Sequence, residues 1–231
     1  MNIFLKYFLT FACLTLFLEC SSEEDVNTTD HSKNIKYIKT VSASGYSEDW
    51  IYDTNKRVVS IVRSNDTMSM YEYDNDGKLI KAATFLRSSP GIKTEAYQLE
   101  YTQNIIRIFK KKYVNSADVI TEIREYTLDD KGKTIKEKVV DGFEEATYTR
   151  SEGNVVHVNH SIMGSVDHLY DNKKNVYYYY PVAFRLVIGD SYVNDNNMIW
   201  AKLLNSEQIY NYEYDGEGYV TKKQGSTYTY Y

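Results

Sequence analysis

The chain has 231 residues, of which 26% are charged and 42% hydrophobic, and its formal net charge is −5. This composition lies close to ordinary globular usage and argues against wholesale disorder. The negative charge argues against nucleic-acid binding, because neutralising phosphates requires a basic face. The chain has 24 tyrosines but only 8 phenylalanines and 2 prolines, which favours a tyrosine-rich β core over a helical bundle.

The first twenty residues have the pattern of a signal peptide. Lys6 supplies a positive charge, and residues 7–18 form an apolar stretch that is too short to span a bilayer as a helix. The segment Phe17-Leu18-Glu19-Cys20 resembles a lipobox, at which lipoprotein signal peptidase cleaves before a lipid-modified cysteine. We therefore expect a signal peptide over residues 1–19 and lipid attachment at Cys20. Cys13 would be removed with the signal peptide, which leaves no disulfide.

The next segment is polar and acidic. Ser21-Ser22-Glu23-Glu24-Asp25 resembles the export signal that sends Bacteroidetes lipoproteins to the outer face of the outer membrane. We expect a lipidated flexible tether over residues 20–33 and a partner in the membrane itself, reached through the N-terminal lipid. The predicted location is the outer membrane, facing the cell exterior, with a periplasm-facing orientation as the alternative.

From about residue 34 onward, aromatic residues alternate with polar ones and are followed by Asp/Asn/Gly turns. The clearest units are residues 71–81 and 212–222, and the turns recur near positions 56, 77, 104, 132, 153, 175, 197 and 218. Glycine or asparagine takes the positive-φ position of a tight turn, and aspartate caps it. The alternation has a period of two, which is typical of strands. Such regular spacing indicates internal repeats.

These patterns predict one all-β domain over residues 34–231. It is an antiparallel meander of about eight hairpins that forms a strongly curved sheet or barrel-like structure. A short helix around residues 198–204 is the one helical candidate, because Ile199 and Leu203 are four apart, and a strand is the alternative there.

The Tyr-x-Tyr-Asp-x-x-Gly units resemble the tyrosine-aspartate (YD) repeats of Rhs-type proteins. More specifically, the chain is similar to an uncharacterised family of Bacteroidetes lipoproteins with a porin-like fold, most clearly over residues 196–199 and 212–222. This resemblance implies a many-stranded antiparallel meander. It implies no activity and no catalytic residues.

Three histidines are the only candidates for a metal cluster: His157, His160 and His168. Strand parity places His157 and His160 on opposite faces, so we expect packed, hydrogen-bonded histidines and no metal site.

Other charged groups also have structural interpretations. The adjacent carboxylates Asp129-Asp130 and Glu144-Glu145 are expected in or near turns, where they make local hydrogen bonds. Lys110-Lys111-Lys112 is expected to protect a solvated strand edge. The sequence has no Gly-x-Ser-x-Gly elbow and no Gly-rich phosphate loop.

We therefore expect a lipoprotein without cofactor or enzymatic activity that acts as a surface binding or structural module, with a glycan or protein as its unidentified partner. Exposed tyrosine rings stack well on sugars or peptides. Two alternatives stay open. One is a hydrolase of extracellular polymers whose carboxylates come from distant hairpins. The other is a cavity for a small apolar ligand. Cys20 is the one residue with an assigned role.

Overall fold

A computed structural model describes residues 35–114 and 117–231. The chain divides into two units, Met1–Ile35 and Lys36–Tyr231, and the description below concerns the second. The predicted signal peptide, the tether and Cys20 lie outside the described residues.

Residues Lys36–Tyr231 form an antiparallel meander of 17 strands in one curled sheet, which confirms the predicted fold class. The strands are β1 (Ile38–Ala43), β2 (Tyr46–Tyr52), β3 (Val58–Arg63), β4 (Thr67–Tyr73), β5 (Leu79–Leu86), β6 (Ser89–Thr102), β7 (Ile105–Val114), β8 (Ala117–Leu128), β9 (Thr134–Val139), β10 (Glu145–Ser151), β11 (Asn154–His160), β12 (Gly164–Lys174), β13 (Asn196–Leu203), β14 (Ser206–Ile209), β15 (Tyr212–Tyr214), β16 (Val220–Lys223) and β17 (Ser226–Tyr230). One short helix, α1 (Val182–Val187), lies between β12 and β13.

Strand pairing follows chain order. Each strand from β1 to β13 pairs with the next, β15 pairs with β16 and β16 with β17, and β17 returns to pair with β1. Tyr210 and Asn211 interrupt the strand between β14 and β15. The sheet is curled without being closed.

Because the strands alternate in direction, their turns gather at two ends. End A holds the turns at residues 44–45, 64–66, 87–88, 140–144, 161–163, 204–205 and 224–225, and the β7–β8 hairpin reverses there too. End B holds the turns at residues 53–57, 74–78, 103–104, 129–133, 152–153 and 215–219. The connection from residue 175 to residue 195, here called the interior segment, also starts and returns at end B and contains α1.

Four end-B turns share one hydrogen-bond arrangement. In the turn after β4, Asp74 Oδ1 accepts from the backbone N–H groups of Asp76 (3.0 Å) and Lys78 (2.8 Å). Gly77 takes a φ of +80° in the same turn, a conformation that glycine adopts without strain. The same aspartate cap occurs at Asp53, Asp129 and Asp215. This geometry explains the repeated Asp-x-x-Gly spacing.

The interior segment fills part of the space inside the curled sheet. Phe184 of α1 is fully buried in the main apolar cluster beside Trp50 and Tyr71. The helix begins after Pro181 and ends before Gly189, whose φ is +92°, as is common at helix ends. The sheet therefore packs around a helix of its own chain, which supplies apolar contacts that a thin sheet lacks.

At residues 198–204 the structure has the strand that was the alternative to a helix, and the turn predicted at position 197 was wrong. Residues 198–204, the helical candidate, lie mostly in β13, and the helix of the described chain is α1. Asn197 was expected in a turn but is a buried residue of β13 that contacts Asp171. The helix was missed because Val182–Val187 is apolar on nearly every side, which gives no helical periodicity.

Candidate functional site

A cavity of about 400 Å³ lies inside the sheet, against the end of α1. Its size falls within the range of small-molecule binding sites. It is lined by strands β2 to β6 and by the interior segment, with contributions from Glu48, Trp50, Ile61, Arg63, Ser69, Tyr71, Ala82, Thr84, Glu95, Tyr97, Tyr177, Val187, Ile188 and Gly189.

The lining is arranged in two layers. Trp50 of β2 lies opposite Ile61 of β3, and two residues nearer to end A Glu48 lies opposite Arg63. On β4, Ser69 likewise lies two residues nearer to end A than Tyr71. The apolar layer thus lies deeper in the sheet, and the polar layer lies on the end-A side of it.

Glu48 and Arg63 form the first charged pair of the polar layer. Arg63 Nε donates to Glu48 Oε1 at 3.0 Å, and its Nη1 donates to Ser69 Oγ at 2.7 Å. Glu48 also accepts from the Tyr46 hydroxyl (2.6 Å) and from Trp50 Nε1 (3.2 Å). Burial acts to lower the pKa of Arg63, but the Glu48 carboxylate outweighs it and the pKa is raised. The Arg63 guanidinium therefore stays charged, and these hydrogen bonds fix both side chains in position.

Glu95 and Lys110 form the second charged pair, with 2.7 Å between Lys110 Nζ and Glu95 Oε1. Burial acts to raise the pKa of Glu95, but hydrogen bonds from Lys110 and Tyr97 outweigh it and the pKa is lowered. Glu95 is consequently an acceptor at neutral pH and is poorly suited to act as a proton donor.

A second chamber of about 160 Å³ adjoins the cavity, because Tyr97, Val187 and Gly189 line both. Arg124 and Glu122 lie in its wall, with 2.7 Å between Arg124 Nε and Glu122 Oε1. The two chambers are therefore neighbours at the end of α1.

Arg124 binds further carboxylates beyond Glu122. Its Nη1 lies 2.8 Å from Glu144 Oε1 and also donates to Glu137. Burial acts to lower the pKa of Arg124, but hydrogen bonds to these carboxylates outweigh it and the pKa is raised. Strands β8 and β9 and the β9–β10 turn are thereby connected through one guanidinium group.

Aromatic rings form the remaining walls. Trp50 and Tyr177 are stacked, with ring centroids 6.2 Å apart and an interplanar angle of 15°. Burial raises the pKa of Tyr71 to about 12 and that of Tyr97 further. The phenols therefore stay protonated, and their hydroxyl groups can act as hydrogen-bond donors.

The interior segment is tied to the sheet by buried polar contacts. Within the segment, Arg185 is 1% exposed and donates to Asp190 (2.7 Å) and to the carbonyl of Asn194 (2.7 Å). Arg150 of β10 donates to the carbonyl of Tyr192, and Thr134 of β9 donates to Ser191 at 3.0 Å. Contacts within the interior segment and contacts with β9 and β10 therefore both fix the wall that α1 forms for the cavity.

The predicted histidines have separate local roles. His157 Nδ1 lies 2.6 Å from Asp167 on the neighbouring strand. His160 accepts from the N–H groups of Ile162 and Met163, both at 3.1 Å, and is hydrogen-bonded as predicted. His168 is 3% exposed and donates to the Val155 carbonyl, and burial lowers its pKa.

The other charged motifs match the predictions only in part. Asp129 caps its turn, as predicted. Glu144, expected to make only local contacts, binds Arg124 from another hairpin. The expectation for Lys110-Lys111-Lys112 was wrong, because β7 pairs on both sides and Lys110 faces the inside. Cys20 lies outside the described residues.

The charged residues of the cavity were not identified from the sequence. Each stands two residues from an apolar residue of the same face, as in Glu48 and Trp50, or Glu95 and Tyr97. This parity signal was present. Parity alone does not identify a cavity, because the sequence does not show which strands face one another.

Within residues 35–114 and 117–231, no group of three His, Cys, Asp or Glu side chains could hold a metal ion. In the same ranges, no helix has both the length and the apolar character needed to cross a membrane.

Comparisons with known proteins add little. No family model matches the chain, and no curated protein matches it. Among solved structures, the chain is similar to one described as "Crystal Structure of TcdB2-TccC3-TEV", with 14% identity, a TM-score of 0.24 and coverage of 80% of this chain. It spans 9% of that chain's length. A similarity at this level carries no argument about family or function.

Proposed function

We propose that the protein is a lipid-anchored, non-catalytic binding module whose inner cavity takes a neutral, hydroxyl-rich ligand such as a saccharide. The observation that carries this proposal is the lining of the two chambers. Aromatic rings stand beside charged side chains that are already fixed in pairs. Rings stack on the apolar faces of sugars, and fixed polar groups hydrogen-bond to hydroxyl groups.

The charge of the lining supports a neutral ligand. Three carboxylates, Glu48, Glu95 and Glu122, line the two chambers together with three cations. The cations are Arg63, Lys110 and Arg124. A charged ligand would have to break one of these pairs and leave a partly buried partner uncompensated. An apolar ligand would cover these charged pairs without forming hydrogen bonds to them.

A hydrolase is the second candidate, because Glu48 and Glu95 line the same cavity, and paired carboxylates are the machinery of glycoside hydrolysis. The lowered pKa of Glu95 argues against it, since the general acid of such a pair needs a raised pKa. Product formation from a bound oligosaccharide, abolished by Glu48→Gln, would favour the hydrolase.

The binding proposal is tested by isothermal titration of the full chain with a panel of neutral saccharides. We expect one class to bind, and we expect Glu95→Gln to weaken its binding about tenfold, the typical effect of losing a charge-assisted hydrogen bond. Glu72→Gln is the matched control, because Glu72 is 62% exposed and pairs with Lys81 on the outer face. Absence of binding across the panel, or equal effects of the two variants, would contradict the proposal.

The anchor is proposed on the sequence pattern around Cys20. Intact-mass analysis of the mature protein should show a chain that begins at Cys20 and carries a lipid adduct, and Cys20→Ala should abolish the adduct. A mature chain that retains residues 1–19 without lipid would contradict the anchor and leave the cavity proposal in place.

A further inference from the structure

Exposed apolar side chains are concentrated at one end of the sheet. Fifteen large apolar side chains are exposed in the described part of the chain, and eight of them lie at or beside the end-A hairpin tips. These eight, here called the apolar end, are Ile92, Tyr113, Val119, Ile120, Phe143, Ile162, Met163 and Leu204. At end B, by the same measure, four are exposed, Ile51, Ile135, Tyr179 and Tyr231. Such an imbalance marks an interaction surface.

Several of these tips are held outward by hydrogen bonds. Ser161 Oγ donates to the carbonyl of Phe143 at 2.8 Å and accepts from the N–H of Glu145 at 2.9 Å, which ties two neighbouring tips together. Nδ1 of His160 accepts from the N–H groups of Ile162 and Met163. Phe143 is nonetheless 96% exposed. The tips are therefore presented in a fixed arrangement and are not folded back onto the sheet.

We propose that the apolar end docks on the surface of a lipid bilayer. Its residues lie on several separate hairpins across the end. A fluid bilayer can accommodate each of these hairpin tips separately. Arg87 and Lys112 are exposed on two of the same hairpins, where they can reach lipid phosphates while apolar neighbours enter the interface.

The length of chain before the domain is compatible with this orientation. Fifteen residues lie between Cys20 and Lys36, and the sixteen Cα-to-Cα steps can span up to about 55 Å when extended. The longest strand of the sheet, β6 with 14 residues, is about 48 Å long. A lipid on Cys20 can therefore enter the same bilayer on which end A rests, although Lys36 lies at end B.

Docking in this orientation would turn the polar layer of the cavity toward the lipid headgroups. The docking rests on the exposed tips and on the lipid anchor proposed at Cys20, and it is independent of the ligand proposed for the cavity.

The test is hydrogen exchange, read by mass spectrometry, on the full chain with and without vesicles of phosphatidylethanolamine and phosphatidylglycerol. We expect vesicles to slow exchange at residues 111–120, 141–145, 161–163 and 204–205, and to leave the end-B turns at residues 53–57 and 74–78 unchanged. Unchanged exchange at the end-A tips, or slowing at end B instead, would overturn the proposal. Slowing at end A that depends on protein concentration without vesicles would assign the surface to a second copy and overturn it equally.

Two double variants distinguish the loss of docking at end A from the general effect of removing exposed apolar side chains. Phe143→Ser with Leu204→Ser should abolish the vesicle-dependent slowing at the end-A tips. Leu169→Ser with Ile209→Ser is the matched control, because these two side chains are 57% and 63% exposed on the outer face beside Trp200. Equal effects of the two pairs would refute docking through end A, and circular dichroism confirms that each variant folds.

Discussion

The hydroxyl of Tyr73 on β4 donates a hydrogen bond of 2.9 Å to the carbonyl oxygen of Val58 on β3. The β3–β4 ladder runs from Ser60 opposite Met70 to Val62 opposite Met68. Val58 therefore lies beyond its end. Its carbonyl is satisfied by a side chain, and a buried carbonyl without a partner would be costly.

The same contact recurs near end B. A tyrosine hydroxyl donates to a backbone carbonyl of the preceding strand in Tyr52–Ile38, Tyr101–Leu79, Tyr170–Val155 and Tyr230–Val220, at 2.6 to 2.7 Å. Phenylalanine could fill the same space but could not donate. This repeated bond gives a physical reason for the excess of tyrosine over phenylalanine.

We predict that Tyr73→Phe lowers the free energy of unfolding by about 1 kcal/mol, the usual net value of one hydrogen bond. Chemical denaturation measures the change. Tyr113→Phe is the control, because Tyr113 is 40% exposed and should change stability little. A Tyr73→Phe variant as stable as the parent would show that the hydroxyl contributes nothing.

The meander could be predicted from the sequence because its signals are local. Asp74 and Gly77 specify a turn whatever the rest of the chain does, and the alternation of Tyr71 and Tyr73 specifies a strand. The interior segment could not be predicted in this way. Its place depends on long-range contacts such as Arg150 with Tyr192, which leave no pattern in one sequence.

Gly153 is required by both its backbone and its surroundings. Its φ is +81°, and a Cβ there would collide with the carboxylate of Asp195, which is paired with Lys133. Gly45 has a φ of +73° with open space around the equivalent position. We predict that Gly45→Ala costs about 1–2 kcal/mol for backbone strain and that Gly153→Ala costs clearly more. Equal losses in chemical denaturation would show that Asp195 yields without cost.

Arg185 should be the most sensitive position of the interior segment. Replacing it with methionine leaves the Asp190 carboxylate without its 2.6 Å ion pair, and breaking a buried pair typically costs about 3–5 kcal/mol. Arg87→Met, at an exposed site, should stay within about 0.5 kcal/mol of the parent. If both variants unfold at the same denaturant concentration, the segment is not held through Arg185.

Acid should weaken the contact between Glu144 and Arg124. The hydrogen bond from Arg124 lowers the pKa of Glu144, so this carboxylate contributes stability above its unfolded value of about 4.3. The contribution is lost as the pH falls through the lower folded value. We expect Glu144→Gln to lose less stability than the parent between neutral pH and this acid range. Identical pH profiles for the parent and Glu144→Gln would contradict the contact.

Most of the candidate site could not be predicted from the sequence. Glu48 and Arg63 are fifteen positions apart, and only the register of β2 against β3 brings them together. That register includes a shift between Ile51 and Tyr52, which parity rules do not anticipate. Local sequence therefore shows that a strand forms, whereas the residues that face the inside of the sheet also depend on β-bulges.

The two tryptophans of the chain allow the most direct test of the cavity as a binding site. Trp50 lines the cavity and its Nε1 donates to Glu48, whereas Trp200 lies on the outer face and donates to Glu207. Their indole N–H signals can be followed by ¹⁵N NMR while neutral saccharides are titrated into the protein. We predict that a binding saccharide shifts the Trp50 signal and leaves that of Trp200 in place. A ligand that binds the protein while the Trp50 signal stays unmoved would contradict the cavity as its site.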